Sequence, residues 1–407
     1  MSEFGELARY YGLPARNPDQ PRPVLRAAAP WRMAAPRLRR RRRRRLAYLD
    51  STFPWERSGF RYHEALAIRN LRPDTMFFSL WELNDPFPSP VYPLADFPVI
   101  APAAGITDAY AVFQLFLAGL CGLNPSGSNP PNPFEGPDLT RVLRRAGIRL
   151  HGSIYAGGGF TVTEHGLAEA RAIAERLTTT FSYVPEMLEG VAGVTPEAGA
   201  WTETEFYAQS SERWDRPRPL VCLFAADRAR RKGMDVVIRA FAELDADDFH
   251  LHVAGPHEHR RDELPHDIAT FHGWCTPAQL RDLHRQSHVF VSPVSVEAAG
   301  PAGSFMGVVD GFPTQAARDA MSSGCLLVSA NPQSDHRVLQ PGIHYVDCMA
   351  DAATLRATLL ALRDDRVLMR RVATAGSDRV RDQFDVRRGA AFKLSCMGLL
   401  PERPRRA

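Results

Sequence analysis

The chain has 407 residues, 44% of them hydrophobic, which suits two cores of ordinary size better than one. The formal charge of +4 hides an asymmetry: residues 1–45 hold 13 arginines against three acids, and the remaining 362 hold 37 basic and 43 acidic groups, a net −6. No apolar run approaches the ~18 residues of a membrane span, no apolar segment follows the N-terminal charges as in a secretory signal, and six scattered cysteines without a Cys-x-x-Cys pair suit a reducing cytosol.

In chain order, residues 1–45 read as a disordered leader, from their proline content and the self-repulsion of seven consecutive arginines, Arg39 to Arg45. Three roles stay open for it: a solvated leader, with Met33 a second start; peripheral contact with anionic lipid headgroups at the inner membrane face, at about 1 kcal/mol per basic residue; or nucleic-acid contact. No aromatic residues interleave the arginines, so nucleic acid is not expected as a partner. The strand LAYLDSTF (46–53) then opens a domain over 46–211. RYHEALAIRNL reads as a helix, TMFFSLWEL as a strand, and DAYAVFQLFLAGL (108–120) as one long apolar helix. IRLHGSIYAGGGF is a strand entering a glycine run, and LAEARAIAERL is a helix. ERWDRPRP (212–219) reads as a linker from its proline and charge.

The second domain, 220–385, is more regular. LVCLFAA, FHLHVAG, HVFVSP and CLLVSAN are strands. MDVVIRAFAEL sets Met234, Val237, Phe241 and Leu244 on one helical face. TPAQLRDLHRQS carries a capping box, with Thr276 at the cap, Pro277 in the first turn and Gln279 closing it. Alternating strands and helices predict an α/β, doubly wound parallel sheet, with the ligand crevice at the carboxyl ends of the strands. The tail, 386–407, either ends the chain freely or returns to the first domain.

Three motifs fall at that crevice. In AADRARRKGMD (225–235), Arg228, Arg231 and Lys232 sit in a turn between a strand and a helix, where cations and backbone N–H groups suit a diphosphate. An ordinary basic turn is the alternative. Lys232 and Lys393 are the only lysines in the chain. In FHGWC (271–275), Gly273 could let backbone approach a nucleobase, while the side chain of Trp274 reads as packed. In DGFPTQAARDAMSSGC (310–325), Thr314 caps a helix whose positive end faces the crevice, and Asp310 and Asp319 bracket the turn.

The order of these motifs resembles glycosyltransferase family 4, retaining enzymes of GT-B architecture with two facing Rossmann-like domains. The resemblance is concentrated in residues 216–385, with Asn331-Pro332 and Asp335, His336 and Arg337 beyond. Weaker likeness lies in PWERSGFRYHE (54–64), LHGSIYAGGGF (150–160) and TETEFYAQ (202–209). It implies a metal-independent transferase that moves a sugar from a nucleotide-sugar donor to an acceptor hydroxyl, in polysaccharide, glycolipid or secondary-metabolite biosynthesis, with no cofactor. It further implies that Lys232, with Arg228 or Arg231, holds the donor diphosphate; that Asp319 bonds the ribose; that Gly311, Phe312, Pro313 and Thr314 present backbone groups to the sugar and phosphate; that Asp310 and His151 face the transferred sugar; and that Ser58, Gly59 and Phe60 form an acceptor-side loop. A strand-end histidine such as His151 is otherwise a structural residue.

The chain departs from that family in spacing its acids nine apart rather than eight, in making both aspartate, and in inserting PVSVEAAGPAGSFMGVV (293–309), whose Glu297 rivals Asp310 for the sugar-side role. The alternatives are a non-catalytic sugar-nucleotide-binding partner, an epimerase or a phosphorylase on the same fold. The His-rich HEHRRDELPHD (257–267) reads as an exposed loop rather than a zinc site.

Overall fold

In the computed structural model, residues 44–400 are described except 84, 124–138, 156–158, 162, 198, 216–217, 228–229 and 296–307. The first domain runs β1 (Leu46–Phe53), α1 (Phe60–Leu71), β2 (Met76–Glu82), β3 (Val91–Pro93), α2 (Phe97–Ala104), β4 (Asp108–Val112), α3 (Gln114–Leu120), α4 (Thr140–Ala146), β5 (Arg149–Ile154), β6 (Gly159–Thr161), α5 (Glu164–Ala174), β7 (Thr179–Ser182) and β8 (Val194–Pro196). Seven of these strands form a parallel sheet in the order β3-β2-β1-β4-β5-β7-β8. All eight residues of β1 are buried, as expected of a parallel sheet covered on both faces.

The second domain runs β9 (Leu220–Ala225), α6 (Met234–Phe241), β10 (Phe249–Ala254), β11 (Ala269–Gly273), α7 (Pro277–Gln286), β12 (Val289–Ser292), β13 (Val308–Asp310), α8 (Gln315–Ser322), β14 (Leu326–Ser329), β15 (Val346–Asp347), α9 (Ala352–Asp364) and α10 (Arg366–Gln383), followed by α11 (Val386–Cys396). Its sheet is also parallel, in the order β11-β10-β9-β12-β14-β15. Met234, Val237, Phe241 and Leu244 are buried on one face of α6 and just beyond it. The capping box of α7 is complete: Thr276 Oγ1 accepts from Gln279 N at 3.3 Å, and Thr276 N donates to Gln279 Oε1 at 2.8 Å.

Four features depart from the sequence reading. The apolar run 108–120 is a strand and then a helix, not one helix. Its first half pairs with β1 and β5, and the chain switches at Phe113, held at φ 80° in the left-handed region. The leader ends earlier than residue 45: Arg44 donates to both oxygens of fully buried Asp108 at 3.0 and 2.5 Å, and Arg45 N donates to Thr107 Oγ1 at 2.9 Å. The residues 39–43 proposed to contact lipid lie outside the described region. The linker reading also fails at Arg213, which is 1% exposed and donates to Ser323 O at 2.6 Å inside the second domain.

The last departure is a second contact between the domains: β13, which ends at Asp310, pairs antiparallel with β6 of the first domain, Asp310 opposite Gly159. The chain crosses back as well. Thr202 bridges Asp385, and α11 packs Val386, Ala390 and Leu394 against the first-domain core. Lys393, fully buried on α11, reaches Glu64 at 2.6 Å, Glu197 at 3.2 Å, and the hydroxyls of Tyr110 and Ser153 at 2.8 and 2.9 Å.

Candidate active site

A cleft of about 340 Å³ opens where strands β9, β10 and β12 end, with the first domain as its far wall. The geometry of the basic turn follows from Gly233. It caps α6 at φ 82°, and a Cβ there would stand 2.3 Å from the Pro293 carbonyl oxygen. Only glycine lets the turn lie on the chain leaving β12, and Ser295 N donates to Arg231 O at 2.8 Å to fix it there.

Lys232 reaches the cleft from this turn, and its Nζ lies 2.8 Å from Asp310 Oδ1. Arg231 Nε approaches Asp310 Oδ2 at 3.2 Å. The sequence treated the basic turn and the first acid as separate motifs, but the fold makes them one ion-paired unit. Burial by itself would raise the Asp310 carboxyl, but the charges of Lys232 and Arg231 outweigh it and hold the group below its ordinary value. Asp310 is 4% exposed and is not among the residues lining the cleft; Lys232 stands between them.

Asp319 does line the cleft, on the second turn of α8. Gln315, one turn earlier, donates to its Oδ1 at 2.8 Å and to Thr202 Oγ1 at 3.2 Å. Burial pushes Asp319 up to about 7, with the Thr202 and Gln315 hydrogen bonds only partly offsetting it. Thr314 caps the helix by accepting from Ala317 N at 3.3 Å, so the free N–H groups of the first turn and the positive end of α8 face the cleft. Phe312 points away from it, packing on Tyr345 at 4.8 Å between ring centroids, and Pro313 is buried. Gly311 lines a separate cavity of about 40 Å³ between the domains.

On the first-domain side, Gly59 and Phe60 line the cleft together with Glu56 and Arg57. Trp274 is 41% exposed on the cleft wall, which corrects its reading as a packed side chain. His151 is not at the crevice. It sits inside β5, 1% exposed, with Nε2 3.0 Å from Asp108 Oδ1, where Arg44 and Arg149 also converge. Burial lowers its basicity. The sequence marked it as a strand-end residue, but β5 continues three residues further, to Ile154. Arg228 and Glu297, and the side chain of Ser58, lie outside the described residues. Among the described residues no group of three His, Cys, Asp or Glu side chains is spaced to hold a metal ion.

Gln315 and Tyr207 line the cleft within segments the sequence marked, although neither residue was itself singled out. Tyr207 lies in the TETEFYAQ segment, whose backbone is held to α8 by Ser322 Oγ donating to Tyr207 O at 2.9 Å. A third unmarked residue, Tyr183, follows the first-domain strand β7. Its hydroxyl lies 2.8 Å from Phe312 N and 2.9 Å from Phe312 O.

Residues 218–365 match the family model described as Glycosyl transferases group 1. No curated protein sequence matches the chain. Among solved structures, Anabaena Alr3699/HepE in complex with UDP and glucose superimposes with a TM-score of 0.62 at 12% identity, covering 88% of this chain and 100% of that one. Sucrose-phosphate synthase from Thermosynechococcus elongatus gives 0.62 at 13% identity over 88% and 98%. A glycosyltransferase from Rickettsia africae ESF-5 gives 0.59 at 9% identity over 87% and 99%. The fold is therefore GT-B, two facing α/β domains, and the family match over the second domain supports a glycosyltransferase.

Proposed function

We propose that this protein transfers a sugar from a nucleotide-diphosphate-sugar donor to an acceptor hydroxyl, with retention at the anomeric carbon and without a metal. The observation that carries the proposal is the convergence of Lys232, the N-terminus of α8 and Asp319 on one cleft at the carboxyl ends of the second-domain strands. Departure of a nucleoside diphosphate develops negative charge. A lysine ammonium and the positive end of a helix, fixed before the reaction, stabilise such charge without reorganising. That the Anabaena protein similar in fold was solved with UDP and glucose supports a nucleotide sugar as donor.

In this reading Lys232 receives the diphosphate, with Arg231 or Arg228 as the second cation. Asp319 accepts from the ribose hydroxyls, and Trp274 offers its face to the base. Thr314, at the cleft, presents its backbone to the sugar and its phosphate, while the backbone of Phe312 in the preceding turn is engaged by Tyr183. Asp310, which does not line the cleft, orients Lys232 from behind, while Gly59 and Phe60 lie on the acceptor side. The acceptor belongs to polysaccharide, glycolipid or secondary-metabolite biosynthesis at or near the inner membrane face.

The test is a thermal-shift panel of UDP, GDP, ADP and their sugars, followed by measurement of nucleoside diphosphate release with and without candidate acceptors. A true donor at 100 times its Kd stabilises the fold by about 2.7 kcal/mol. Stabilisation without any release under all conditions would favour a non-catalytic binding partner. Absence of stabilisation by every nucleotide would overturn the proposal.

A further inference from the structure

The turn that follows Asp310 is held by a first-domain side chain. Tyr183 follows β7, is 5% exposed and packs in the first-domain core, yet the hydrogen bonds of its hydroxyl lie across the domain boundary. A phenol has one proton to give and can accept in return. Here the oxygen accepts from Phe312 N at 2.8 Å, and the proton is directed to Asp335 Oδ2 at 2.6 Å, with Phe312 O close by at 2.9 Å. The Asp335 bond is charge-assisted and the shortest of the three. Asp335 is itself fixed, by Arg337 at 2.9 Å and by its backbone N–H donating to Asn331 Oδ1 at 3.1 Å.

The ring is used as well. The Arg337 guanidinium lies over it at 5.2 Å and donates to the Tyr183 carbonyl at 3.2 Å. On another side, a Cβ added at Gly311 would meet the ring at 3.4 Å, an ordinary van der Waals contact, so the turn passes about one methyl group's width from the aromatic carbons. Phe312 is thus hydrogen-bonded by Tyr183, with Gly311 passing beside its ring, while the strand that ends at Asp310 is paired with β6. Both contacts come from the first domain, although the turn belongs to the second. Either would be lost if the domains separated.

We infer that Tyr183 is a positioning residue that couples closure of the two domains to the placement of the Asp310–Thr314 turn. The inference rests on the transferase reading for its catalytic consequence, but its structural content does not. When the domains are apposed, the phenol fixes Phe312 N–H and through it the backbone that continues to Asp310 on one side and the Thr314 cap on the other. When they part, the same N–H loses its acceptor and the turn is released. Nucleotide affinity should be little affected, because Tyr183 is not among the residues lining the main cleft.

The experiment compares Tyr183→Phe, which keeps the ring and deletes the hydroxyl, and Asp335→Ala, which deletes the acceptor of its proton, with the parent chain. Hydrogen–deuterium exchange is read for peptides spanning residues 308–314, alongside UDP affinity and donor turnover. In Tyr183→Phe the turn is expected to exchange about tenfold faster, the effect of losing one buried hydrogen bond, with a smaller rise in Asp335→Ala. Exchange elsewhere in β1 to β8, and UDP affinity, should stay unchanged. Turnover of the donor identified from the nucleotide-sugar panel should fall about tenfold in kcat with KM unchanged. Unaltered exchange of the turn in both variants would overturn the inference. So would acceleration spread over the whole first domain, which marks a structural role only, or a faster turn with undiminished kcat. If the parent turns over no nucleotide sugar, the exchange result still decides the latch, and that failure falls on the transferase reading alone.

Discussion

Replacing Lys232 by alanine separates ligand binding from stability, because the residue serves both. Its ammonium is 2.8 Å from an Asp310 carboxylate whose side chain is 1% exposed, while the lysine side chain is 20% exposed. Removing one partner of a fully buried pair costs about 3–5 kcal/mol, since the other charge is left uncompensated. Arg231 remains at 3.2 Å and the lysine is partly solvated, so the loss should be about half that, ~2 kcal/mol. For a domain of this size that corresponds to a fall in Tm of about 4–8 °C.

Asp310→Asn should partly rescue Lys232→Ala, because the neutral amide no longer needs the cation; a double-mutant cycle should show a coupling of about 1–2 kcal/mol. The acid limb moves too. Asp310 is held below its ordinary value, so it contributes stability that is present above the unfolded carboxylate value and lost as pH falls through the folded one. Lys232→Ala brings the folded value up, so acid unfolding should begin at higher pH. Calorimetric titration with UDP should show affinity reduced by about 10–100-fold, the loss of one charge-assisted contact. A parent-like Tm, or strictly additive single and double variants, would refute the coupling of Lys232 to Asp310. A parent-like Kd for UDP would refute the diphosphate role.

Further outcomes follow from the same geometry. A chain beginning at Arg44 should keep the parent Tm, whereas one beginning at Leu46 should lose several degrees, because Asp108 forfeits its two bonds to Arg44; equal melting of the two would refute this role for Arg44. Asp319→Asn should flatten the pH dependence of stability: a carboxyl raised to about 7 by burial makes a contribution that is full below the unfolded value near 4 and is lost as pH rises to about 7. The variant should therefore gain on the parent by up to a few kcal/mol in denaturant titrations at pH 8, yet bind UDP more weakly. Lys393→Met should cost about 3–5 kcal/mol in the same titrations, since it leaves Glu64 and Glu197 buried beside each other without their cation; near-parent stability would show that those acids take up protons at no cost.

Local signals were legible in the sequence. The α7 cap is contained in the four residues Thr276 to Gln279, and the face of α6 is set by helical spacing, so neither depends on the rest of the chain. The apolar run 108–120 was misread because unbroken apolar sequence has no periodicity with which to tell a buried strand from a buried helix. Pairing with β1 and β5 decided for a strand up to Val112, and the backbone turns at Phe113. His151 was misplaced for a related reason: the end of a strand is set by where its neighbours stop pairing, and β5 pairs with β7 through Ile154.

Two facing domains were implied only by the family resemblance, but the order of strands, helices and crevice motifs after residue 220 was enough by itself to indicate one doubly wound sheet, because parallel strands demand crossovers and crossovers put the loops after the strands on one edge. It was also enough to mark Lys232, Thr314 and Asp319 as residues of that edge. The sequence could not indicate what those residues do to one another. Lys232 meets Asp310 across 78 positions, Tyr183 meets Phe312 across 129, and Lys393 meets Glu64 across 329. Such pairings carry no periodic or local signature. They exist only once two sheets have folded and the last helix has returned to the first domain, and there the low-dielectric interior makes an unpartnered charge or N–H group costly.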